Sequence, residues 1–360
     1  MSLLRNPIYL FGAGGAASWV LSGFKRESLV VAGFLDDAAD QIKHVCGLPV
    51  YNPTTNRISE SEKQNSSVVF CVMNRKIDES AILQKLRKMG WKNCYAFSEF
   101  GKKLFRETGI RCGMLDHRSL ISNMDKITFV RSILSDEKSR SVFDGFIDFC
   151  LTLDEKVSID SSQYFPKDIP RWKDNLRLID CGGYCGSVMM DAIENKYSLV
   201  DCISFEPDLI NFQKLSQTIR SMDGVIACPC AVSDKTQLIK FRMQGDMGSF
   251  MDDDGDLMIQ SVSIDEMLPT FAPNLIKMDI EGSEQKALRG ARKTLEKYKP
   301  CLAISIYHMS DDLFEIPLYI NQIYGCEYDY YMRKHSRTIA DTILYVCPKN
   351  KSFDGGKVIE

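Results

Sequence analysis

The chain has 360 residues, 44% of them hydrophobic and 26% charged, enough for two cored domains of ordinary composition. Its 45 Lys and Arg against 48 Asp and Glu leave a net charge of -3, without the basic excess that a large phosphate-backbone surface needs, so nucleic acid is not an expected partner. No stretch nears the roughly 18 uninterrupted apolar residues of a membrane span, and no charged segment leads into an apolar core at the N-terminus, so a cytoplasmic location is expected.

The first element is an apolar strand, Ile8 to Phe11, running into the glycine turn Gly12-Ala13-Gly14-Gly15 and a helix through Trp19, Val20 and Leu21. A second strand, Val30 to Leu35, closes on Asp36-Asp37. Strand, glycine turn, helix, strand and acid make a nucleotide-binding fingerprint whose candidate contacts are Gly12, Gly14 and Asp36. Strands at Pro49-Val50, Val68 to Val72 and Cys94 to Ala96, with a helix from about Asp78 to Met89 presenting Ile82, Leu83 and Leu86 on one face, complete a Rossmann-like unit over 1–100. The segments GAGG, GFLDD and GLPV resemble the N-terminal domains of bacterial sugar acyltransferases and nucleotide-sugar-modifying enzymes, and that resemblance implies a nucleotide or nucleotide-sugar ligand. The other reading is a ligand-free unit used for docking or for dimerisation, and only the latter gives a homo-oligomer.

Residues 101–162 read as a helical connecting segment, with Phe129, Val130, Ile133 and Leu134, and then Val142, Phe143, Phe146, Ile147 and Cys150, recurring at helical spacing. No Pro-, Gly- or Ser-rich linker and no repeat interrupts the chain, so the units on either side are expected to pack through it. Tyr164-Phe165-Pro166 opens the next unit, and the aromatic pair is a candidate wall for a ligand pocket. The 13 cysteines lack CxxC pairs and fall largely in apolar strands, as small buried hydrophobes of a reducing compartment do.

Leu178 and Ile179 then run into Asp180-Cys181-Gly182-Gly183-Tyr184-Cys185-Gly186, and a second apolar strand ends in Phe205-Glu206-Pro207. Glycines after a first strand let the backbone approach a ligand, and an acid closing the next strand can hold both hydroxyls of a ribose. A dinucleotide would place its pyrophosphate on the helix N-terminus, where a neighbouring carboxylate is unfavourable. S-adenosylmethionine carries no phosphate and bears a sulfonium cation, so Asp180 beside the turn suits it better.

Strands are expected at Arg177 to Cys181, Val200 to Phe205, Val225 to Val232, Leu275 to Asp279, Cys301 to Tyr307, Glu327 to Met332 and Thr342 to Cys347. Helices are expected over Leu209 to Arg220 and Ser283 to Tyr298, the latter with Ala287, Leu288, Ala291 and Leu295 on one face; Lys240 to Met243 and Ile259 to Val262 read as an inserted hairpin. The strand Leu275 to Met278 delivers Asp279 to the sheet edge, with Glu281 two residues on, and His308 follows another apolar strand to the same edge. Two carboxylates and an imidazole in one crevice are candidate acid–base groups. Two oxygen ligands are too few to assign a metal.

The blocks YF with LIDCGGYCG, FEPDLINFQKL, ACPCAVSD, and SIDEMLP with LIKMDIEGSEQKALRGA and PCLAISIYH, closed by DTILYV, resemble the FkbM family of S-adenosylmethionine-dependent methyltransferases over roughly Tyr164 to Pro348. The turn has Gly-Gly-Tyr where many members have Gly-Ala-Asn. The resemblance implies that Asp180, Gly182, Gly183 and Gly186 shape the methionine end of a cofactor site, that Glu206 holds the ribose, and that Cys230-Ala231-Val232 lies against adenine. The alternation of strands and helices requires doubly wound sheets, so the expected fold class is α/β with two Rossmann-like doubly wound domains, and for the C-terminal one, over 163–350, the resemblance implies a class I methyltransferase-like seven-stranded sheet. The expected activity is O-methyl transfer to a hydroxyl of a sugar or glycan precursor, with Asp279, Glu281 and His308 as catalytic groups. The alternatives are a nicotinamide-dependent sugar oxidoreductase using Gly12 to Asp37, which lacks a convincing Tyr-x-x-x-Lys helix, and a non-catalytic nucleotide-sugar binding module.

Overall fold

Short apolar runs bounded by glycine and acidic turns form parallel strands in the computed structural model, which describes residues 6–26, 28–72, 77–108, 117–152, 160, 162–242, 250–251, 255, 257–309, 311–336 and 339–349. The first six strands are β1 (Ile8–Phe11), β2 (Val31–Leu35), β3 (His44–Val45), β4 (Leu48–Tyr51), β5 (Ser67–Phe70) and β6 (Asn93–Ala96). They make one sheet in the order β3-β4-β2-β1-β5-β6, parallel throughout except for the β3–β4 pair. The central strand β1 is buried at every position, as a strand covered on both faces must be. Val30, expected in β2, lies just outside it and is exposed.

Helices Phe97–Thr108, His117–Ser122, Met124–Ile133 and Glu137–Thr152 follow. Residues 109–116, 153–159 and 161 of the connecting segment lie outside the described residues. Val130, Val142, Phe143, Phe146 and Cys150 are buried as their spacing predicts, whereas Phe129 is 43% exposed, one position round the helix from the buried Val130. Glu137–Thr152 packs against a strand of the second sheet, where Ser139 Oγ accepts the Met332 N–H and bonds the buried Arg333, itself paired with Asp136 and Asp168.

Three strands lead that second sheet: β7 (Asn175–Cys181), β8 (Ser198–Phe205) and β9 (Val225–Cys228). An inserted sheet of β10 (Ala231–Val232), β11 (Gln237–Arg242), β12 (Phe250–Met251) and β13 (Leu257–Val262) follows, in the order β10-β13-β11-β12. Four more strands, β14 (Leu275–Met278), β15 (Cys301–Ser305), β16 (Tyr328–Lys334) and β17 (Thr342–Pro348), complete the seven-stranded order β16-β17-β15-β14-β7-β8-β9. β17 alone runs opposite to the other six strands.

Two expected elements are broken. Val225 to Val232 divides into β9 and β10 at Pro229, which has no N–H for a ladder, so the chain leaves the main sheet and pairs with β13. Ser283 to Tyr298 divides into Glu284–Gly290 and Arg292–Tyr298, because Gly290 packs so close to the Ser233 carbonyl that a Cβ would stand 2.2 Å from it, and Ser263 Oγ takes the Gly290 carbonyl at 2.9 Å. The expected hairpin forms between β11 and β13, with Met243 outside the described residues. Among the described residues no helix is long and apolar enough to cross a membrane, and every cysteine is free.

Candidate active site

Register brings the site together. Cys181 pairs with Met278 on one side and Phe205 on the other, and Met278 pairs in turn with Ile304, so β7, β8, β14 and β15 end level. The glycine turn, Glu206 and Asp279 therefore leave the sheet along one carboxyl edge, where open parallel sheets bind ligands. His308 follows three residues beyond β15.

The turn is tight because the strands on both sides crowd it. Gly182 has φ +86°, and a Cβ there would meet the Asp279 carbonyl oxygen at 2.0 Å; one on Gly183 would meet Ser204 Oγ at 2.1 Å. The N–H groups of Gly182 and Gly183 both donate to the Phe205 carbonyl at 2.9 Å. Gly186, at φ +85°, precedes the helix Ser187–Glu194. Glu206 is tied to this turn: Oε2 accepts the Tyr184 N–H at 2.8 Å and Oε1 the Asp208 N–H at 2.9 Å. Burial pushes the Glu206 carboxyl up to about 7, despite those two N–H donors. Ala231 is buried in β10, one residue past the tight Cys228-Pro229-Cys230 turn.

Asp180 requires a correction. Its carboxylate does not stand at the lip of the turn but is fully buried, ion-paired to Lys277 Nζ at 3.1 Å and accepting the Ser204 hydroxyl at 2.8 Å. The cause is register: Asp180 and Lys277 are direct partners across β7 and β14. Lys277 also donates to the Cys181 and Gly182 carbonyls, at 3.2 and 2.5 Å, and so fixes the turn from beneath. Burial works against the Lys277 charge, but Asp180 and Asp279 more than offset it and raise its pKa.

Asp279 accepts the Tyr164 hydroxyl on Oδ2 at 2.7 Å and the Tyr307 hydroxyl on Oδ1 at 3.4 Å. Burial raises the Asp279 pKa, yet Lys277, His308 and the tyrosine hydroxyl together hold it below the ordinary carboxylate value. Of the expected aromatic pair, Tyr164 reaches the site while Phe165 packs on Tyr197. Glu281, in the left-handed region at φ +53°, stands on the open side with its side chain 35% exposed. His308 lies between the acids, Nε2 3.6 Å from Asp279 and 3.7 Å from Glu281, while Nδ1 meets Glu284 at 2.9 Å. Burial disfavours an imidazolium, but Glu284, Glu281 and Asp279 outweigh it, so the ring holds a proton well above its usual pKa. Glu284 is fully buried and also accepts the Ile280 and Gly282 N–H groups, bracing the turn that carries Glu281.

Lys277 and Glu284 were not among the residues that sequence reasoning assigned to the site, and Tyr164 was expected there only as an aromatic wall, not as a partner of Asp279. Glu284 could have been found from its spacing, since an acid opening a helix reaches back to the N–H groups before it. Lys277 and Tyr164 depend on pairings across 97 and 115 positions, which spacing does not reveal.

The early fingerprint residues share a smaller arrangement. Asp36 accepts the Ala13 N–H on one oxygen and the Ala38 N–H on the other, both at 2.8 Å, as Glu206 does with Tyr184 and Asp208. Gly12, at φ +102°, donates to the Leu35 carbonyl at 2.9 Å, and Gly14 is exposed.

Residues 180–331 match the family model of the methyltransferase FkbM domain. Among solved structures the chain is similar to the methyltransferase FkbM of Methylobacillus flagellatus KT, with a TM-score of 0.63 and 24% identity over 95% of this chain and 90% of that one. Fibrillarin of Aeropyrum pernix, solved with natively bound S-adenosyl-L-methionine, gives a TM-score of 0.32 at 9% identity over 50% of this chain and 71% of that one, too slight a likeness to carry weight. No curated protein matches the chain. The span that matches the methyltransferase FkbM domain opens on the carboxylate beneath the glycine turn and runs past His308 into the strand at the sheet's far side, and so takes in the glycine turn, Glu206, Asp279 and His308.

Proposed function

We propose that the chain transfers a methyl group from S-adenosylmethionine to a hydroxyl of a sugar or glycan precursor. The observation that carries this reading is the level edge on which the glycine turn, Glu206 and the Asp279 group meet. The donor fits these residues. Each Glu206 oxygen uses one lone pair on a backbone N–H and keeps capacity for a ribose hydroxyl. The turn of Gly182, Gly183 and Gly186 borders the methionine end, and Ala231 the adenine. With Asp180 neutralised by Lys277, the negative charge facing a sulfonium comes from Asp279 and Glu281.

When bound, the donor supplies an electrophilic methyl group; the chain's own residues position the acceptor. Asp279, kept ionised and fixed by two tyrosine hydroxyls, orients the acceptor O–H. The proton released as that oxygen takes the methyl passes to Asp279 or Glu281 and on to water. Holding the reactants in register is worth up to about 7–11 kcal/mol in favourable cases, and a fully braced carboxylate serves that end.

Calorimetric titration tests the reading. S-adenosylmethionine is expected to bind the wild type, and Glu206→Ala to bind it at least tenfold more weakly, since two ribose bonds to a charged group are lost. Radiolabelled methyl transfer is then followed on nucleotide-sugars and glycan oligomers. Uptake of NAD with no uptake of S-adenosylmethionine, or donor binding without transfer to any sugar hydroxyl, would overturn it.

A further inference from the structure

The acids at the sheet edge surround a group with one unused polar atom. His308 is buried, with its side chain 5% exposed, and Nε2 has no hydrogen-bond partner. That nitrogen is aimed at Asp279 Oδ1 and Glu281 Oε2, from which it stands 3.6 and 3.7 Å. Donors each about 2.0–2.2 Å from a shared ion are about 3 to 3.6 Å apart in octahedral or tetrahedral geometry, so one separation lies at the outer end of a coordinating set and the other just beyond it, and the ion would draw the donors slightly together. The opposite nitrogen, Nδ1, is held by the buried Glu284 at 2.9 Å, the carboxylate–imidazole arrangement that orients a metal-bound histidine.

Donor atoms of Asp279, Glu284 and His308 all lie within 4.8 Å of one another. Glu284 is the least suited of these to bind an ion directly, because its oxygens already accept two backbone N–H groups and the ring. Glu281 is the better third ligand: its side chain is 35% exposed and its Oε2 stands 3.7 Å from Nε2, on the ring's unused side.

We propose that Asp279, Glu281 and His308 Nε2 hold a divalent cation, with Glu284 as the positioning residue behind the ring. Two hard carboxylate oxygens and one borderline imidazole nitrogen suit Mn²⁺ or Zn²⁺ better than Mg²⁺ or Ca²⁺, which take oxygen ligands. Three protein ligands leave positions open to water or to an acceptor hydroxyl, whose proton the ion would make easier to remove. The proposal deepens the methyl-transfer reading of this edge, but cation binding is measured without donor or acceptor, so either idea can fail alone.

The full chain, stripped with a chelator and dialysed, is titrated with MnCl₂ while the electron-paramagnetic-resonance signal of free Mn²⁺ is followed, and ZnCl₂ is used in competition. One Mn²⁺ per chain is expected, displaced by Zn²⁺. Glu281→Gln, on the open side, should bind at least tenfold more weakly with its metal-free melting temperature kept. Glu284→Gln should weaken binding about 10- to 100-fold, as loss of an outer partner does. His308→Gln, checked for folding by circular dichroism, should abolish the site. Failure of the wild type to take up either ion at millimolar concentration, or wild-type binding by Glu281→Gln, would overturn the proposal and leave the imidazolium as the charge that balances these acids.

Discussion

Glu206 and Asp279 stand on the same edge, yet burial governs only the first. Asp279 has Lys277 and His308 beside it and stays ionised, whereas Lys277 is the weakest influence on Glu206 and two N–H bonds do not overcome desolvation. Folding therefore holds the Glu206 proton more tightly than the unfolded chain does. The stability this contributes is complete below about pH 4.5 and is lost as pH rises through about 7, on the order of 3 kcal/mol at about 1.4 kcal/mol per unit. Glu206→Gln should remove that slope, so that the variant gains on the wild type between pH 5 and pH 8 when ligand-free melting temperatures are compared. Parallel curves would mean that Glu206 ionises as it does in water. The same titration predicts that a ribose-bearing ligand binds more tightly above pH 7, where the carboxylate is charged.

At the scale of elements, the glycine turn works by letting β7 and β14 approach one another. A Cβ on Gly182 would collide with the Asp279 carbonyl at 2.0 Å, backbone against residue, with φ at +86°. Gly182→Ala should cost more than about 2 kcal/mol in chemical denaturation, adding strain at a left-handed position to a steric clash. It should also weaken donor binding by displacing the Asp279 strand. Near-wild-type stability would show that the turn relaxes freely. Spacing located this turn, the acid after β8 and the acid after β14, because each follows an apolar run whose length fixes where a strand must end. It did not locate the breaks at Pro229 and Gly290: the first depends on which sheet captures β10, and the second on the Ser233 and Ser263 contacts.

Across the whole molecule, one contiguous apolar cluster runs from Ile8, Leu10 and Phe24 through Ile127, Val130 and Phe143 to Ile179, Ile276 and Ile304. The helices between the sheets thus share a core with both. A single cooperative transition in scanning calorimetry is the expected outcome, and two well-separated transitions would show that the shared core couples the sheets only weakly. The sequence by itself determined the alternation of strands and helices, the seven strands of the second sheet and the acids at strand tips, because local periodicity and turn chemistry act over a few residues. Tertiary structure alone decided what those acids face. It turned Asp180 inward onto Lys277, set Tyr164 against Asp279 and enclosed His308 among three carboxylates, since each of these pairings is made between strands and helices distant in the chain, and burial then fixes the charge each group carries.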